Sequence, residues 1–192
     1  MSALKLDIML NRKAHKWSFG ELLARLLWDA LHPLFRFSPR VFWGWRIWML
    51  RAFGAKIGRH VHIYPSVRIV IPWNLNIGDQ TAVGDRAILY ALGLITLGDR
   101  VTISQGVHIC AGSHDYSRAD RPLLKPPVTV GDDTWIAADA FIGPGVTVGR
   151  GTIVGARSVV MKDIGDQVIV AGNPARVIKP FVSSLPTSGN QA

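Results

Sequence analysis

The chain has 192 residues, 48% of them apolar, and a formal net charge of +9. That length supports one domain with a sizeable core and a smaller appendage. A lone cysteine, Cys110, excludes a disulfide framework and a zinc ribbon, and the most apolar stretch, "VFWGWRIWML", is too short for a membrane span and carries Arg46.

Residues 1–56 hold ten Lys/Arg against Asp7, Glu21 and Asp29, together with five of the seven tryptophans. The basic part of the chain is therefore also its aromatic part. No apolar run with a small-residue cleavage site opens the sequence, so no secretory leader is expected. In "SFGELLARLLWDAL", Ser18 stands three residues before Glu21, a capping box that starts a helix. Phe19, Leu22, Leu23, Leu26, Leu27, Ala30 and Leu31 fall on one face of it. Pro33 and then "SPR" are expected to interrupt it. A second helix is predicted over "RVFWGWRIWMLRAF", with Gly54 as its stop. Phe42, Trp43, Trp45 and Trp48 mix there with Arg40, Arg46 and Arg51, the composition of a helix lying in a membrane interface. The competing reading is a helical cap packed on the rest of the molecule or on a neighbouring subunit, with arginine heads reaching water. No nucleic-acid-binding motif accompanies the basic and aromatic residues, so no nucleic-acid partner is expected.

From residue 57 the pattern changes to a period of six. Val130, Ile136, Ile142, Val148, Val154 and Val160 are each six after the last, and Thr134, Ala140, Val146, Thr152 and Ser158 follow at an offset of four. The same pairing occurs in Ile77/Thr81, Val83/Ala87, Leu97/Val101, Ile103/Val107 and Ile109/Ser113, and Ile57, Ile63 and Ile69 mark a looser first coil. Six is neither a helical period nor simple strand alternation. It is the signature of a parallel β-helix in which three short strands close a coil of about 18 residues. The aliphatic residue points inward and stacks on its equivalent in the next coil; the inner corner admits only a small residue. Gly and Asp supply turns. Residues 57–167 then hold about five coils, with the N-terminal segment 1–56 covering one end and residues 168–182 extending past the other. Residues 183–192 read as a disordered tail.

The rhythm breaks after His114, where "DYSRADRPLLKPP" (115–127) intervenes. A regular solenoid has flat walls, and a long loop beside a histidine can wall a cleft. Cys110 is near enough in sequence to His114 to raise a Cys-His nucleophile, but a free cysteine on a coil wall more often acts as a small hydrophobe.

The hexads, the stretch "SHDYSRADRPLLKPPVTVGDDTWIAADAFIGPGVTVGRGTIVGARSVV" and the motif "VIVAGNPARVIK" resemble the hexapeptide-repeat acetyltransferases, nearest the colanic acid biosynthesis group, over roughly residues 55–180. The resemblance implies a left-handed β-helix, a homotrimer, and acetyl-CoA in a groove between subunits. It implies an acetyl-CoA-dependent O-acetyltransferase of exopolysaccharide biosynthesis, acting on a sugar or lipid-linked saccharide, with no metal. It makes His114 the general base, which chemistry favours because a sugar hydroxyl needs its proton removed as it attacks a thioester. On the acceptor side it points to Asp115, Tyr90 and Trp135. On the acyl-donor side it points to the small Ala138 and Ala156 and to the cations Lys162, Arg176 and Lys179, suited to CoA phosphates. Relatives often carry an asparagine where this chain has Tyr90-Ala91-Leu92, and a threonine where it has Met161. The loop is expected to reach over a neighbouring subunit. The expected location is the cytoplasm, with peripheral contact at the inner membrane face. Two rivals stay open: a γ-carbonic-anhydrase-like metal enzyme using His60, His62, His108 or His114, and a non-catalytic β-helix scaffold at a membrane surface.

Overall fold

The computed structural model describes residues 6–181; the expected disordered tail 183–192 and the last residue of the 168–182 extension lie outside the described residues. The hexad spacing produces three faces of parallel strands. The first face stacks Lys56–Ile57, Leu75–Ile77, Ile95–Leu97, Val128–Val130 and Thr147–Val148. The second stacks His62–Ile63, Ala82–Val83, Thr102–Ile103, Trp135–Ile136, Ile153–Val154 and Val168–Gly172, and the third Arg68–Ile69, Ile88–Tyr90, His108–Cys110, Phe141–Ile142 and Val159–Val160. Five complete coils result, and a sixth begins with the bridge from Ile164 to Val148. Each inward aliphatic meets its equivalent in register, as Ile103, Ile136 and Val154 do. The offset-four residues Thr81, Ala87, Val101, Val107, Thr134, Ala140, Val146, Thr152 and Ser158 are all buried. The threonines there hold the next coil: Thr81 Oγ1 donates to the Gly98 carbonyl at 2.8 Å and Thr152 Oγ1 to the Gly165 carbonyl at 2.8 Å.

Two expectations about the turns change. The glycines that follow inward aliphatics are not there for a positive φ. A β-carbon on Gly78 would lie 2.3 Å from Asp99 Oδ1, and one on Gly98 2.2 Å from Asp132 Oδ1. Those carboxylates cap the coil below, Asp99 Oδ1 accepting from the Asp79 N–H at 2.7 Å. The left-handed turn positions go to Gly106, Gly145 and Gly151 and to Asp133 and Asp139, as expected, but also to Gln80 and Arg100. The pair Ile109/Ser113 is also no hexad: the coil ends at buried Ala111, and Ser113 starts a hairpin.

Three helices precede the solenoid, α1 (Ile8–Lys13), α2 (Phe19–Arg36) and α3 (Trp43–Ala52); α2 and α3 pack on the first coil, whereas α1 lies against the 115–127 loop. The Ser18–Glu21 capping box starts α2 as expected. Pro33 does not end it; the helix runs on to Arg36 with the proline inside, since proline removes one backbone donor while the flanking turns stay bonded. Gly54, with φ +86°, stops α3. The attachment of α2 is made by Trp28 and Phe35: Trp28 Nε1 donates to the Ile69 carbonyl at 2.9 Å, and its ring packs edge-on against Phe53. The leucine stripe predicted for α2 faces outward, with Phe19 83%, Leu22 51%, Leu23 47% and Leu26 66% exposed. Of the two arginines of α3, Arg46 does the opposite of snorkelling, while Arg51 stays exposed. Arg46 is fully buried and donates to the carbonyls of Ile63, Pro39 and Arg40 and to Ser38 Oγ, and Arg51 donates to the carbonyls of Ile57 and Gly58. No helix among the described residues is long and apolar enough to cross a membrane.

Candidate active site

All the lengthened turns fall at one corner of the prism, between the third face and the first. Inward residues there are eight apart from Ile69 to Ile77 and from Leu89 to Leu97, and the gap widens to Ile109–Val130 around the excursion. Elsewhere the spacing stays at six, apart from a short step of four from Val160 to Ile164 at this same corner. The excursion opens as an antiparallel hairpin, Ser113–His114 against Leu123–Leu124. His114 is therefore carried by the hairpin, three residues beyond the end of the coil at Ala111, and its side chain is exposed. Gly112 gives it passage: a β-carbon there would meet Leu92 Cδ1 at 2.8 Å and Tyr90 Cε1 at 3.1 Å.

The histidine's tautomer is set by the excursion. His114 Nδ1 lies 2.8 Å from the Arg121 carbonyl oxygen. A carbonyl can only accept, so Nδ1 carries the hydrogen, and in the neutral ring Nε2 holds the lone pair. Such a ring is oriented and basic at its outer nitrogen, the arrangement a proton acceptor requires. Asp115 faces the loop: its Oδ1 accepts from the Ser117 N–H at 3.0 Å and from Ser117 Oγ at 2.6 Å, and those bonds hold its carboxyl below the usual carboxylate range. It shapes the turn that follows the histidine. Tyr90, in register with Cys110, lies under Gly112 at the same corner. Cys110 donates to the Gly112 carbonyl at 3.3 Å, which occupies its thiol locally.

The other predicted residues lie elsewhere on the chain. Trp135 stands half-exposed on the second face with its Nε1 donating to Ser104 Oγ at 2.9 Å. Ala138 and Ala156 follow it at the corner between second and third faces, one coil apart, and the Ala138 carbonyl accepts from the Arg157 N–H. Arg176 and Lys179 are exposed on the Ala175–Pro180 strand, which folds back antiparallel on Val168–Gly172 at the far end of the second face. Lys162 is exposed, next to exposed Met161, just past Val159–Val160. One chain thus gathers His114, Asp115 and Tyr90 at one corner and sets Trp135, Ala138 and Ala156 on another.

Two groups had no signal in the sequence reading. Arg121 acts through its main chain, which residue type does not reveal. Asn11 acts across more than a hundred residues: its Nδ2 donates to the carbonyls of Asp120 at 2.7 Å and Arg121 at 2.5 Å. The histidines of the metal reading are dispersed. His108 and His114 do not occupy successive faces; His108 sits on the third face between Tyr90 and Phe141, His62 stacks on Trp43, and no three potential ligands come together among the described residues. Burial among those rings lowers the His108 pKa.

Comparison with known proteins accounts for this architecture. The family model for bacterial transferase hexapeptide (six repeats) matches residues 127–162. The Escherichia coli protein named "Putative colanic acid biosynthesis acetyltransferase WcaF" is 46% identical over 160 residues, covering 83% of this chain and 88% of its own. The chain belongs to the hexapeptide-repeat acetyltransferases. Its identity to the galactoside O-acetyltransferase of the same species is 30% over 134 residues, 68% of this chain and 66% of that one. Among solved structures, a galactoside acetyltransferase in complex with coenzyme A superposes with a TM-score of 0.80 at 25% identity, covering 93% and 92% of the two chains. A hexapeptide-repeat acetyltransferase from Vibrio cholerae complexed with acetyl coenzyme A gives 0.79 at 25% identity, with 88% and 93% covered. The solenoid of this hexapeptide-repeat acetyltransferase is the left-handed β-helix of these enzymes.

Proposed function

We propose that the protein transfers the acetyl group of acetyl-CoA to a sugar hydroxyl, with His114 as general base. The acceptor is a unit of an exopolysaccharide or its lipid-linked precursor, a reading supported by the likeness to the colanic acid biosynthesis protein. The observation that carries the mechanism is the Nδ1 bond to the Arg121 carbonyl, which leaves Nε2 to act. Nε2 takes the acceptor hydroxyl proton as that oxygen attacks the thioester carbonyl. The C–S bond then breaks, and the departing thiolate takes the proton from the imidazolium. No acyl-enzyme is needed. Asp115 and Tyr90 flank the acceptor and Trp135 closes the pantetheine end. Ala138 and Ala156 leave backbone room for CoA, and Lys162, Arg176 and Lys179 meet its phosphates.

His114, Asp115 and Tyr90 on the acceptor side and Ala138 and Ala156 on the donor side occupy different corners of one chain, so a site that combines them draws on a second copy. This favours the homotrimer with shared clefts, the excursion 115–127 of one subunit facing the second face of the next. The exposed stripe of α2, continued by Phe37, Phe42, Trp45 and Trp48, favours peripheral contact with the inner face of an anionic membrane, where lipid-linked saccharides reside. Acetyl-CoA turnover with a sugar panel tests the core reading. His114→Ala is expected to bind acetyl-CoA normally while kcat falls about a hundredfold or more; undiminished kcat overturns the base assignment.

A further inference from the structure

Resting on the reading of His114 as general base, we infer that Asn11 is a positioning residue for it, acting through the Arg121 carbonyl. That single oxygen receives two hydrogen bonds, one from His114 Nδ1 at 2.8 Å and one from Asn11 Nδ2 at 2.5 Å. A carbonyl has two lone pairs, so both are accommodated. The Asn11 amide cannot be turned round. Its Oδ1 accepts from the Lys16 ammonium, which only donates, and its Nδ2 faces two carbonyls, which only accept.

The carbonyl needs holding because of where it sits. Arg121 has φ +41°, a left-handed conformation disfavoured for a residue with a β-carbon. Its own N–H reaches only the Arg118 carbonyl, at 3.2 Å. A turn of that kind settles into other conformations unless its neighbours over-determine it. The N-terminal arm supplies the constraint: the Asp7 N–H donates to the Ala119 carbonyl at 3.0 Å, Lys125 Nζ donates to the Lys16 carbonyl and lies 3.5 Å from the Trp17 ring centre, and Asn11 sits between these ties. Loss of the Asn11 donor frees the Arg121 peptide to rotate. The imidazole then loses its partner for part of the time, and molecules with the hydrogen on Nε2 or with a swung ring cannot take the acceptor proton. The loss belongs to kcat, since acetyl-CoA need not touch this side.

Asn11→Asp is the informative change. It keeps the shape and the acceptor for Lys16 but has no N–H for the Arg121 oxygen. Asn11→Ala, His114→Ala and the double variant Asn11→Asp/His114→Ala complete the set, assayed in the full-length protein for kcat, KM for acetyl-CoA, melting temperature and the 15N signals of labelled histidine. The expected result is a kcat about tenfold lower in both Asn11 variants, the size of one lost orienting hydrogen bond. KM for acetyl-CoA and melting temperature should hold, the signal of the Nδ1–H tautomer that His114→Ala removes should weaken, and the double variant should be no slower than His114→Ala. An inactive His114→Ala beside an Asn11→Asp protein of wild-type kcat and tautomer overturns the Asn11 inference alone, as does a lowered melting temperature with kcat intact. An active His114→Ala overturns the base reading and the inference with it.

Discussion

Arg46 is a buried cation without a carboxylate. Its guanidinium is neutralised in effect by three carbonyls and a hydroxyl, with the Trp43 ring 4.7 Å away, and burial lowers its pKa. Those acceptors belong to the turn between α2 and α3 and to the first coil, so this side chain ties the cap to the solenoid. Arg46→Met removes four bonds and strands their acceptors. It should cost about 2–4 kcal/mol in a urea or thermal unfolding experiment, whereas Trp48→Ala on the exposed side of the same helix should cost under about 0.5 kcal/mol. Sequence reading could not make that distinction, since Arg46 looks like the exposed Arg40 and Arg51 and only the fold decides which way each turns. Residue identity was more telling at the inner corners, where Thr81, Thr134 and Thr152 combine small size with a hydroxyl that bridges coils. For the donor groove, Ala156 is exposed at its corner, so Ala156→Phe should fold normally and raise KM for acetyl-CoA about tenfold or more with kcat at saturation nearly unchanged.

At the level of elements, α2 inverts the usual amphipathic arrangement. A globular protein turns the leucine stripe of such a helix inward; this one docks by Trp28 and Phe35 and leaves the stripe in the open. Its length and capping were legible from Ser18 and Glu21, and its apolar face from residue spacing. Its orientation was not, because spacing fixes which residues share a face and not which face is covered. Pro33, Leu34, Phe37, Pro39, Phe42 and Trp45 continue the surface as an apolar cleft of about 620 Å³. If this surface meets a bilayer, Leu23→Ser/Leu26→Ser should abolish co-sedimentation with anionic vesicles. Melting temperature and turnover of a water-soluble sugar should stay unchanged, as neither leucine touches the core. Co-sedimentation equal to that of the unaltered protein would remove the membrane contact. Loss of a trimer in the same variant would reassign the stripe to a subunit interface.

The whole molecule was the most legible scale. A six-residue beat carried through Val130, Ile136, Ile142, Val148, Val154 and Val160 is a direct consequence of three strands per coil, and each of these residues is buried. The exception was local: the beat hid the point where the coil ends, because Ser113 is as small as a corner residue. Site assembly from two copies has its own test. At acetyl-CoA well below the KM of the Ala156→Phe protein, mixed oligomers of His114→Ala and Ala156→Phe subunits should exceed the mean activity of the two parents, about a quarter of sites in a random cyclic trimer uniting an intact histidine with an intact groove. A mixture no more active than its parts would confine the site to one chain. The single corner that takes up every extra residue has a last consequence. Strands Ile95–Leu97 and Val128–Val130 pair in direct register across the excursion, so its length is invisible to the stack. Exchanging that segment for another is a graft at one vertex, and new acceptor preferences can arise by insertion or deletion there without the scaffold having to be rebuilt.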